Sequence, residues 1–387
     1  MGNTLTNLIP TLYRALDVVS REMVGFIAAV TRNSSAERLA VGQNVTFPIV
    51  PAITGHDITP GQLPSDDGDA TIGTATLTIS KSRYWPVRWS GEEQKGVANT
   101  AGFGGNMLET IKRDQFAQAM RAAVNEVEAD LAALYKSASR ACGTAGTAPF
   151  GTANDLSDSA QIQKILDDNG APQTDRHLVL GTGGMANLRG KQSVLFKVNE
   201  AGTEELLRRG VIGELQGLNL HTSAQVASSV TKGTGANYLV NNGAGYAVGD
   251  IAITVDTGAG TILAGDTITF AGDSNRYVVA SPLAANVVTI AAPGLRQAVA
   301  DNTAITVGNN FAPNMAFHRS ALQLVTRAPA MPSEGDAADD VIEIIDPVSG
   351  LAFQIALYRL YRRVKYEVGL AWGVKAVKSE HEVILLG

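Results

Sequence analysis

The sequence predicts an α+β protein built from several domains. Three features lead to this prediction: a long helical stretch at 105–141, a C-terminal stretch at 351–372 that alternates like a long strand, and a turn-rich region of short strands at 233–311. A chain of 387 residues is too long for one ordinary hydrophobic core, so two or three domains are expected. Its 45% hydrophobic and 18% charged residues are typical of a folded globular protein.

Composition narrows the functional classes. The formal net charge is −6, whereas proteins that bind nucleic acid directly usually carry an excess of basic residues. A negative net charge is compatible both with a container wall around DNA and with a cytosolic enzyme. The single cysteine, Cys142, permits no internal disulfide and fits a reducing compartment, where we expect it to be a packing residue. The sequence shows neither a secretory signal nor an apolar stretch of about 18 residues, so we expect no membrane contact.

Two elements are predicted in the first 50 residues. An amphipathic helix over 11–31 follows Pro10, and it packs either on its own core or on another subunit. Its apolar positions recur at steps of three and four: Leu12, Leu16, Val19, Met23, Ile27 and Val30. Residues 43–50 then form a strand bounded by Pro48 and Pro51.

A long polar stretch at 54–73 separates that strand from a second one, in which Ala75, Leu77 and Ile79 alternate with polar residues. The stretch contains three acidic residues: Asp66, Asp67 and Asp69. A loop this long predicts a protruding or functional element, with a solvated surface loop as the alternative. The flanking strands are expected to form the stem of a long hairpin.

Residues 105–141 form the clearest helix of the sequence. One apolar stripe runs along it: Leu108, Ile111, Met120, Val124, Val127, Leu131 and Leu134. Alanines raise its helix propensity, and no proline interrupts it. At 1.5 Å per residue its length is roughly 50 Å.

Helices and strands alternate over 160–221: we predict helices at 161–167, 184–191 and 204–210, and a strand at 177–180. The sequence pattern then changes, and it predicts short strands at 251–255, 267–270, 276–280, 287–291 and 304–307. Gly and Asp turns separate these strands, which predicts a small closed β-domain.

One motif points to enzyme chemistry. The run from Gly181 to Ala186 fits the G-x-G-x-x-A phosphate turn of dinucleotide-binding folds, with Glu200 about 20 residues on. The parallel second strand that such a site requires is poorly supported near 192–200. The five histidines lie far apart in the sequence, and neither a zinc motif nor a nucleophile elbow occurs. We therefore predict no catalytic residue, cofactor or metal.

The alternation of the C-terminal stretch at 351–372 predicts a strand with one solvent-exposed face and one buried face. The apolar face holds Tyr358, Leu360, Val364, Tyr366, Val368, Leu370 and Trp372, and the polar face holds Arg359, Arg363, Lys365 and Glu367. Arg362 interrupts the apolar face. The basic side chains lack interleaved aromatic residues for base stacking, so charge pairing between subunits is expected of them. A short apolar run at 383–386 follows this stretch.

The run from Ala371 to His381 resembles the C-terminus of major capsid proteins of tailed bacteriophages, in the branch whose coat protein carries an inserted β-domain. This resemblance implies a turn at Trp372, Gly373 and Val374 and a last strand at 383–386. Residues 265–272 are similar to a strand entry in that domain. Residues 314–321, with the segment through Pro332, are similar to the return to the main domain. The resemblance covers most of the chain in order.

The resemblance implies the Hong Kong 97 phage capsid fold. Its parts are an N-terminal arm (1–42), strands with an extended loop (43–90), a peripheral domain with a spine helix (91–141, completed by 346–369), an axial domain (142–232, completed by 312–345 and 370–387) and an inserted β-domain (233–311). The candidate inter-subunit contacts are Asp66, Asp67, Asp69, Arg359, Arg363 and Lys365.

The implied function is structural. Pentamers and hexamers would assemble in the host bacterial cytoplasm into an icosahedral virion shell around double-stranded DNA, held without sequence specificity, with a scaffolding protein and a portal as partners. Two alternatives remain: an encapsulin-like cage protein that shares the fold, and a dinucleotide-dependent enzyme that uses Gly181 to Ala186.

Overall fold

The computed structural model describes residues 25–49, 57–58, 60–61, 72–98, 107–192, 213–345 and 350–387. The helices are α1 (Phe26–Ala29), α2 (Gly91–Ala98), α3 (Met107–Ala132), α4 (Ser157–Asp168) and α5 (Thr182–Lys191). The strands are β1 (Thr31–Leu39), β2 (Asn44–Ile49), β3 (Gly73–Thr78), β4 (Lys81–Ser90), β5 (Arg140–Gly143), β6 (Arg176–Leu180), β7 (Glu214–Leu215), β8 (Leu218–Thr222), β9 (Tyr238–Val240), β10 (Ala252–Asp256), β11 (Thr267–Phe270), β12 (Arg276–Ala284), β13 (Val287–Ile290), β14 (Ala304–Val307), β15 (Pro313–His318), β16 (Leu322–Pro329), β17 (Asp340–Ile345), β18 (Ala352–Leu360), β19 (Arg363–Ala376) and β20 (Glu382–Leu386).

The first large sheet is covered by the long helix α3. Its strands follow the order β1-β16-β19-β18-β17, and β4 pairs along the free edge of β19. The apolar stripe of α3 lies against β4 and β19, where the ring of Phe116 meets that of Tyr366 edge-on at 5.4 Å. Met120, Val127 and Leu131 are fully buried there, so this part of the predicted stripe is confirmed.

The second sheet joins a central layer to a β-ring. The central layer has the order β5-β20-β15-β6-β8-β7, and α4 and α5 contribute to a core beside it. Strands β11, β14, β9, β10, β13 and β12 form the ring, which the pairing of β11 with β12 closes. The ring has its own apolar core, and the short pairing of β12 with β5 connects it to the central layer. The five short strands predicted at 251–307 are confirmed.

The predicted single strand at 351–372 is wrong. The chain reverses at Tyr361 and Arg362, and β18 and β19 pair antiparallel from Leu360↔Arg363 to Gln354↔Gly369. Arg362 has φ +56°, a left-handed conformation that the turn requires and that non-glycine residues seldom adopt. The break in alternation at Arg362 is therefore this turn.

The long helix is shorter than predicted. It ends at Ala132, a 3₁₀ turn covers Ala133–Ser137, and the chain then enters β5, which contains Cys142. Cys142 is 9% exposed, and burial raises the pKa of its thiol to about 12, which agrees with a packing role. At the N-terminus the described helix is only Phe26–Ala29, and the strand β1 follows where the prediction continued the helix to residue 31.

The predicted turn at Trp372, Gly373 and Val374 is also wrong, because these residues lie inside β19. The space at Gly373 explains the glycine: a Cβ there would lie 2.4 Å from the carbonyl oxygen of Thr78. The end of β3 therefore crosses directly over the backbone of β19. The predicted last strand is confirmed as β20.

Candidate functional site

The hairpin of β2 and β3 forms a sheet of its own, as the sequence predicts. Val45 pairs with Leu77 and Phe47 with Ala75, and these four side chains share one face. Leu77 is fully buried at the root of the hairpin together with Ile79, Val325 and Ala371, whereas Val45 and Phe47 are only partly buried.

The opposite face of this hairpin is polar and exposed: Asn44, Thr46, Thr74, Thr76 and Thr78. Lys375 of β19 donates from Nζ to the Thr76 carbonyl oxygen at 2.7 Å, which ties the root to the body. Among the described residues, β2 and β3 have no strand partner other than each other. Asp66, Asp67 and Asp69 fall in the connection between them, outside the described residues.

A second exposed feature is the turn between β18 and β19. Leu360 is 58% exposed and Tyr361 is 87% exposed, with the Arg362 guanidinium 5.5 Å from the Tyr361 ring centre. An open groove of about 1160 Å³ lies between this turn and α2, whose Glu92 and Glu93 line it. Large apolar side chains left open beside charged ones are a common feature of protein contact surfaces.

The predicted basic face does not exist as one face. Residues opposite each other in an antiparallel pair point to the same side, so Lys365 lies with Tyr358, and Arg363 with Leu360. Arg359 pairs with Val364 on the other side and makes a 3.0 Å salt bridge to Asp339. The turn at 361–362 resets the alternation, which is why the sequence pattern grouped these residues wrongly.

Lys365 is occupied within its own subunit. Its ammonium lies 4.8 Å from the ring centre of Tyr84 and 6.0 Å from that of Tyr358. It also pairs with Glu367, whose carboxylate raises the pKa of Lys365. Of the three predicted basic contacts, Arg363, at the exposed turn, is the one for which no salt bridge is described.

A buried carboxylate on α3 was not predicted from the sequence. Glu128 is 1% exposed and accepts hydrogen bonds from the backbone amides of Phe26 at 3.1 Å and Ile27 at 2.7 Å, and from the Ser223 hydroxyl at 2.9 Å. Burial raises the pKa of Glu128, and the three hydrogen bonds oppose that rise. Glu128 thus fixes the start of the described N-terminal segment on the long helix.

Two of the histidines that lie far apart in the sequence also make a contact that was not predicted. His177 of β6 and His221 of β8 meet through ring nitrogens 3.0 Å apart. They are 44 positions apart, and only the parallel pairing of β6 with β8 brings them together. Helical or strand periodicity contains no signal for such a pairing.

The dinucleotide motif has the expected local geometry. Gly181 follows β6 and precedes α5, and a parallel strand, β8, lies beside β6. Glu200 lies outside the described residues. The cavity of about 460 Å³ at the motif is lined by glycine, serine, threonine, asparagine and apolar residues, and by no acidic side chain among those described.

The described residues contain no group of three or more His, Cys, Asp or Glu side chains that could hold a metal ion. Within the same residues, no helix combines the length and apolar character needed to cross a membrane.

No protein-family model matches the sequence, and no curated protein is similar to it in sequence. Among solved structures, the chain is similar to one from Mycobacterium phage Che8, with 13% identity and a TM-score of 0.45 over 90% of this chain and 88% of that one. It is also similar to the capsid structure of the cyanophage P-SCSP1u, with 12% identity and a TM-score of 0.49 over 95% and 88%. A third similarity is to a virus-like particle from Pyrococcus furiosus, with 8% identity and a TM-score of 0.44 over 98% and 100%.

Proposed function

We propose that this chain is a structural major capsid protein of a tailed bacteriophage, with the fold of the Hong Kong 97 phage coat protein. Many copies would join as pentamers and hexamers into an icosahedral shell around double-stranded DNA. The single observation that carries this proposal is the hairpin of β2 and β3, a two-stranded sheet that no other strand of the described chain joins.

An isolated two-stranded hairpin is at best marginally stable in water. In the described part of the chain it is held to the body through Leu77 in the small buried cluster, on which Val45 and Phe47 pack, and through Lys375. Its outer strand edges offer backbone groups that another chain can bind, and Val45 and Phe47 keep part of their apolar surface open. A neighbouring copy of the same chain would cover these groups. Because hairpin and receiving surface differ, the contact is heterologous and can close into rings.

Charge suggests where the far end of the hairpin binds. Asp66, Asp67 and Asp69 would meet basic side chains such as Arg362 and Arg363 at the exposed turn of a neighbour. Within one subunit, β4 separates the hairpin root from this turn: Lys81 pairs near Trp372 and Ser90 pairs with Arg363. Ten residues of strand span about 33 Å. A neighbouring copy is the proposed partner, because the hairpin root is held on its own subunit at the opposite end of β4 from this turn.

The remaining family features belong to the same proposal. The β-ring of β9–β14, with its own core, would be the inserted domain, and residues 1–42 the N-terminal arm. The sheet under α3 would form the peripheral domain, and the central layer the axial domain. A scaffolding protein and a portal would guide assembly in the host, and the mature protein would be found in the virion.

Replacing Asp66, Asp67 and Asp69 together by alanine tests the proposed contact. Each exposed ion pair contributes only about 0–1 kcal/mol, but a shell repeats it many times. The subunit should keep its melting temperature while the shell yield falls, and the fall should be larger at low salt, because salt already screens the wild-type pairs. Sedimentation at two ionic strengths measures the yield.

A matched control removes three exposed carboxylates elsewhere: Glu109, Glu214 and Glu334. This variant changes the net charge equally and should assemble like the wild type. If the aspartate variant also keeps the wild-type yield at both salt concentrations, the acidic residues make no assembly contact.

A further inference from the structure

His177 and His221 form a pair, and its geometry allows a single proton between the two rings. His177 Nδ1 lies 3.0 Å from His221 Nε2, and His177 Nε2 lies 3.1 Å from Asp175 Oδ1. If His177 donates Nε2–H to Asp175, its Nδ1 must accept from His221 Nε2–H. When both rings are doubly protonated, all four nitrogens are donors and the contact between the rings is lost.

The surroundings do not favour two positive rings. His177 is 3% exposed, and burial is the main cause that lowers its pKa. Burial and the neighbouring His177 lower the pKa of His221 from 6.5 to about 4. Arg319, which lies 3.5 Å from Asp175, adds a positive charge on the same side.

The pair lies under the start of the described N-terminal segment. His177 packs on the Phe317 ring, with 6.3 Å between the ring centres, and Phe317 stacks on Phe26 at 6.3 Å. Gly25 is pressed against β6 and β8, because a Cβ there would lie 2.9 Å from the Thr222 carbonyl oxygen and from Val179 Cγ1. Separation of the two rings therefore disturbs the surface on which residues 25–29 rest.

We propose that the pair of His177 and His221 is an acid-sensitive contact that holds the base of the N-terminal segment on the central sheet at neutral pH and releases it in acid. The sign follows from linkage: the folded state binds fewer protons than the open state. The stabilisation is complete above about pH 6.5 and is lost as the pH falls from there toward about 4.

Other charged groups face the same region. Asp175 attracts a proton to His177, while Arg319 and His318 repel one. Glu128 lies beyond Ser223 on α3, and it acts in the opposite sense because its raised pKa favours the folded state in acid. The exposed Glu214 of β7 is placed on the His221 side by its pairing with Asn219. Variants that leave Asp175, Arg319, His318, Glu128 and Glu214 unchanged therefore report the effect of the histidine pair alone.

Hydrogen exchange of the full chain, followed by mass spectrometry between pH 7 and pH 5, tests the proposal. After correction for intrinsic exchange, protection of residues 25–31 should fall by up to about tenfold per pH unit for each proton taken up on opening. His221→Gln should abolish most of this fall, because the amide can donate to His177 or accept from it.

The matched control is His381→Gln, which removes a buried histidine of the 3₁₀ turn before β20, whose ring contacts His318 instead of the pair. It should respond to acid like the wild type. An equal fall in His221→Gln and the wild type, or no fall in the wild type, overturns the proposal. The measurement is made within one subunit, so it is independent of whether the chain forms shells.

A second measurement needs no variant. Nitrogen NMR of a histidine-labelled wild-type chain should show one pair of rings that shares a proton at pH 7 and takes up further protons only well below pH 6.5. Independent titration of all rings near pH 6.5 would contradict the contact even if His221→Gln fails to fold.

Discussion

Trp372 connects the first large sheet to the long helix, and its replacement gives the sharpest stability test. The side chain is fully buried and stacks on Trp85, with 6.3 Å between ring centres. Its Nε1–H donates to Asp130 Oδ2 of α3 at 2.8 Å, and Asp130 also pairs with Lys81 at 2.8 Å. The indole thus contributes both apolar burial and a hydrogen bond to a charged acceptor.

The expected cost of Trp372→Ala follows from these contacts. A buried tryptophan removes roughly 150–250 Å² from water. At about 25 cal/mol per Å² this is roughly 4–6 kcal/mol, an upper estimate because the unfolded chain is already partly compact. We therefore expect a loss of about 3–5 kcal/mol. Trp372→Phe keeps most of the burial and loses the donor, so it should cost about 1–2 kcal/mol.

Denaturant unfolding followed by far-UV circular dichroism measures these differences without using tryptophan emission. A chain with several hydrophobic cores need not unfold in one step. Hydrogen exchange of peptides from β19 therefore identifies which unfolding transition belongs to the first large sheet. The control is Tyr361→Ala, which removes an aromatic ring that is 87% exposed and should change stability by less than about 0.5 kcal/mol. Equal unfolding midpoints for Trp372→Ala and Tyr361→Ala would refute the reasoning.

Two further substitutions test the packing around α3 and β19. Glu128→Ala leaves two backbone amides without their acceptor and should lower the free energy of unfolding by about 2–4 kcal/mol, measured with denaturant. The control, Glu126→Ala, removes only partly exposed ion pairs and should cost about 0–1 kcal/mol. Equal losses in the two variants would show that Glu128 does not anchor the N-terminal segment. Gly373→Ala places a Cβ 2.4 Å from the Thr78 carbonyl oxygen and should cost at least about 1–3 kcal/mol. Gly190→Ala, in open space on α5, should leave the thermal midpoint unchanged or raise it slightly, and a wild-type midpoint for Gly373→Ala would contradict the close crossing of β3 and β19.

Local periodicity predicted the elements that depend on local pattern. The stem strands β2 and β3, the apolar stripe of α3 and the short strands of the β-ring all follow from alternation, helical spacing and turn residues. The end of α3 did not follow, because residues 133–143 keep a helical composition while pairing with β12 and β20 draws β5 into the second sheet.

The turn at Tyr361 and Arg362 shows the limit of the same method. Neither residue is a usual turn former, so the sequence lacks the Gly or Asn signal of a two-residue hairpin. Continuing the alternation across the turn placed Arg359 with Lys365, although they lie on opposite faces. The grouping of the basic candidate residues was therefore wrong: Arg363 lies at an exposed turn, and Lys365 pairs with Glu367 of its own subunit. That they make assembly contacts stays a prediction.

Contacts that join distant segments were beyond prediction. His177 meets His221 only through a parallel strand pair, and Glu128 meets the amides of Phe26 and Ile27 across about 100 residues. Each of these residues lies in a segment whose local pattern is ordinary. Their roles arise from topology, which a single sequence specifies only through the complete fold.

The central claim is that copies of this chain form a closed shell. Electron microscopy of the purified full-length protein at high concentration, with light scattering on the same sample, tests it most directly. If the copies form a shell, rings, open sheets or closed icosahedral particles should appear. A single monodisperse monomer at every concentration, with or without a scaffolding protein, would contradict it.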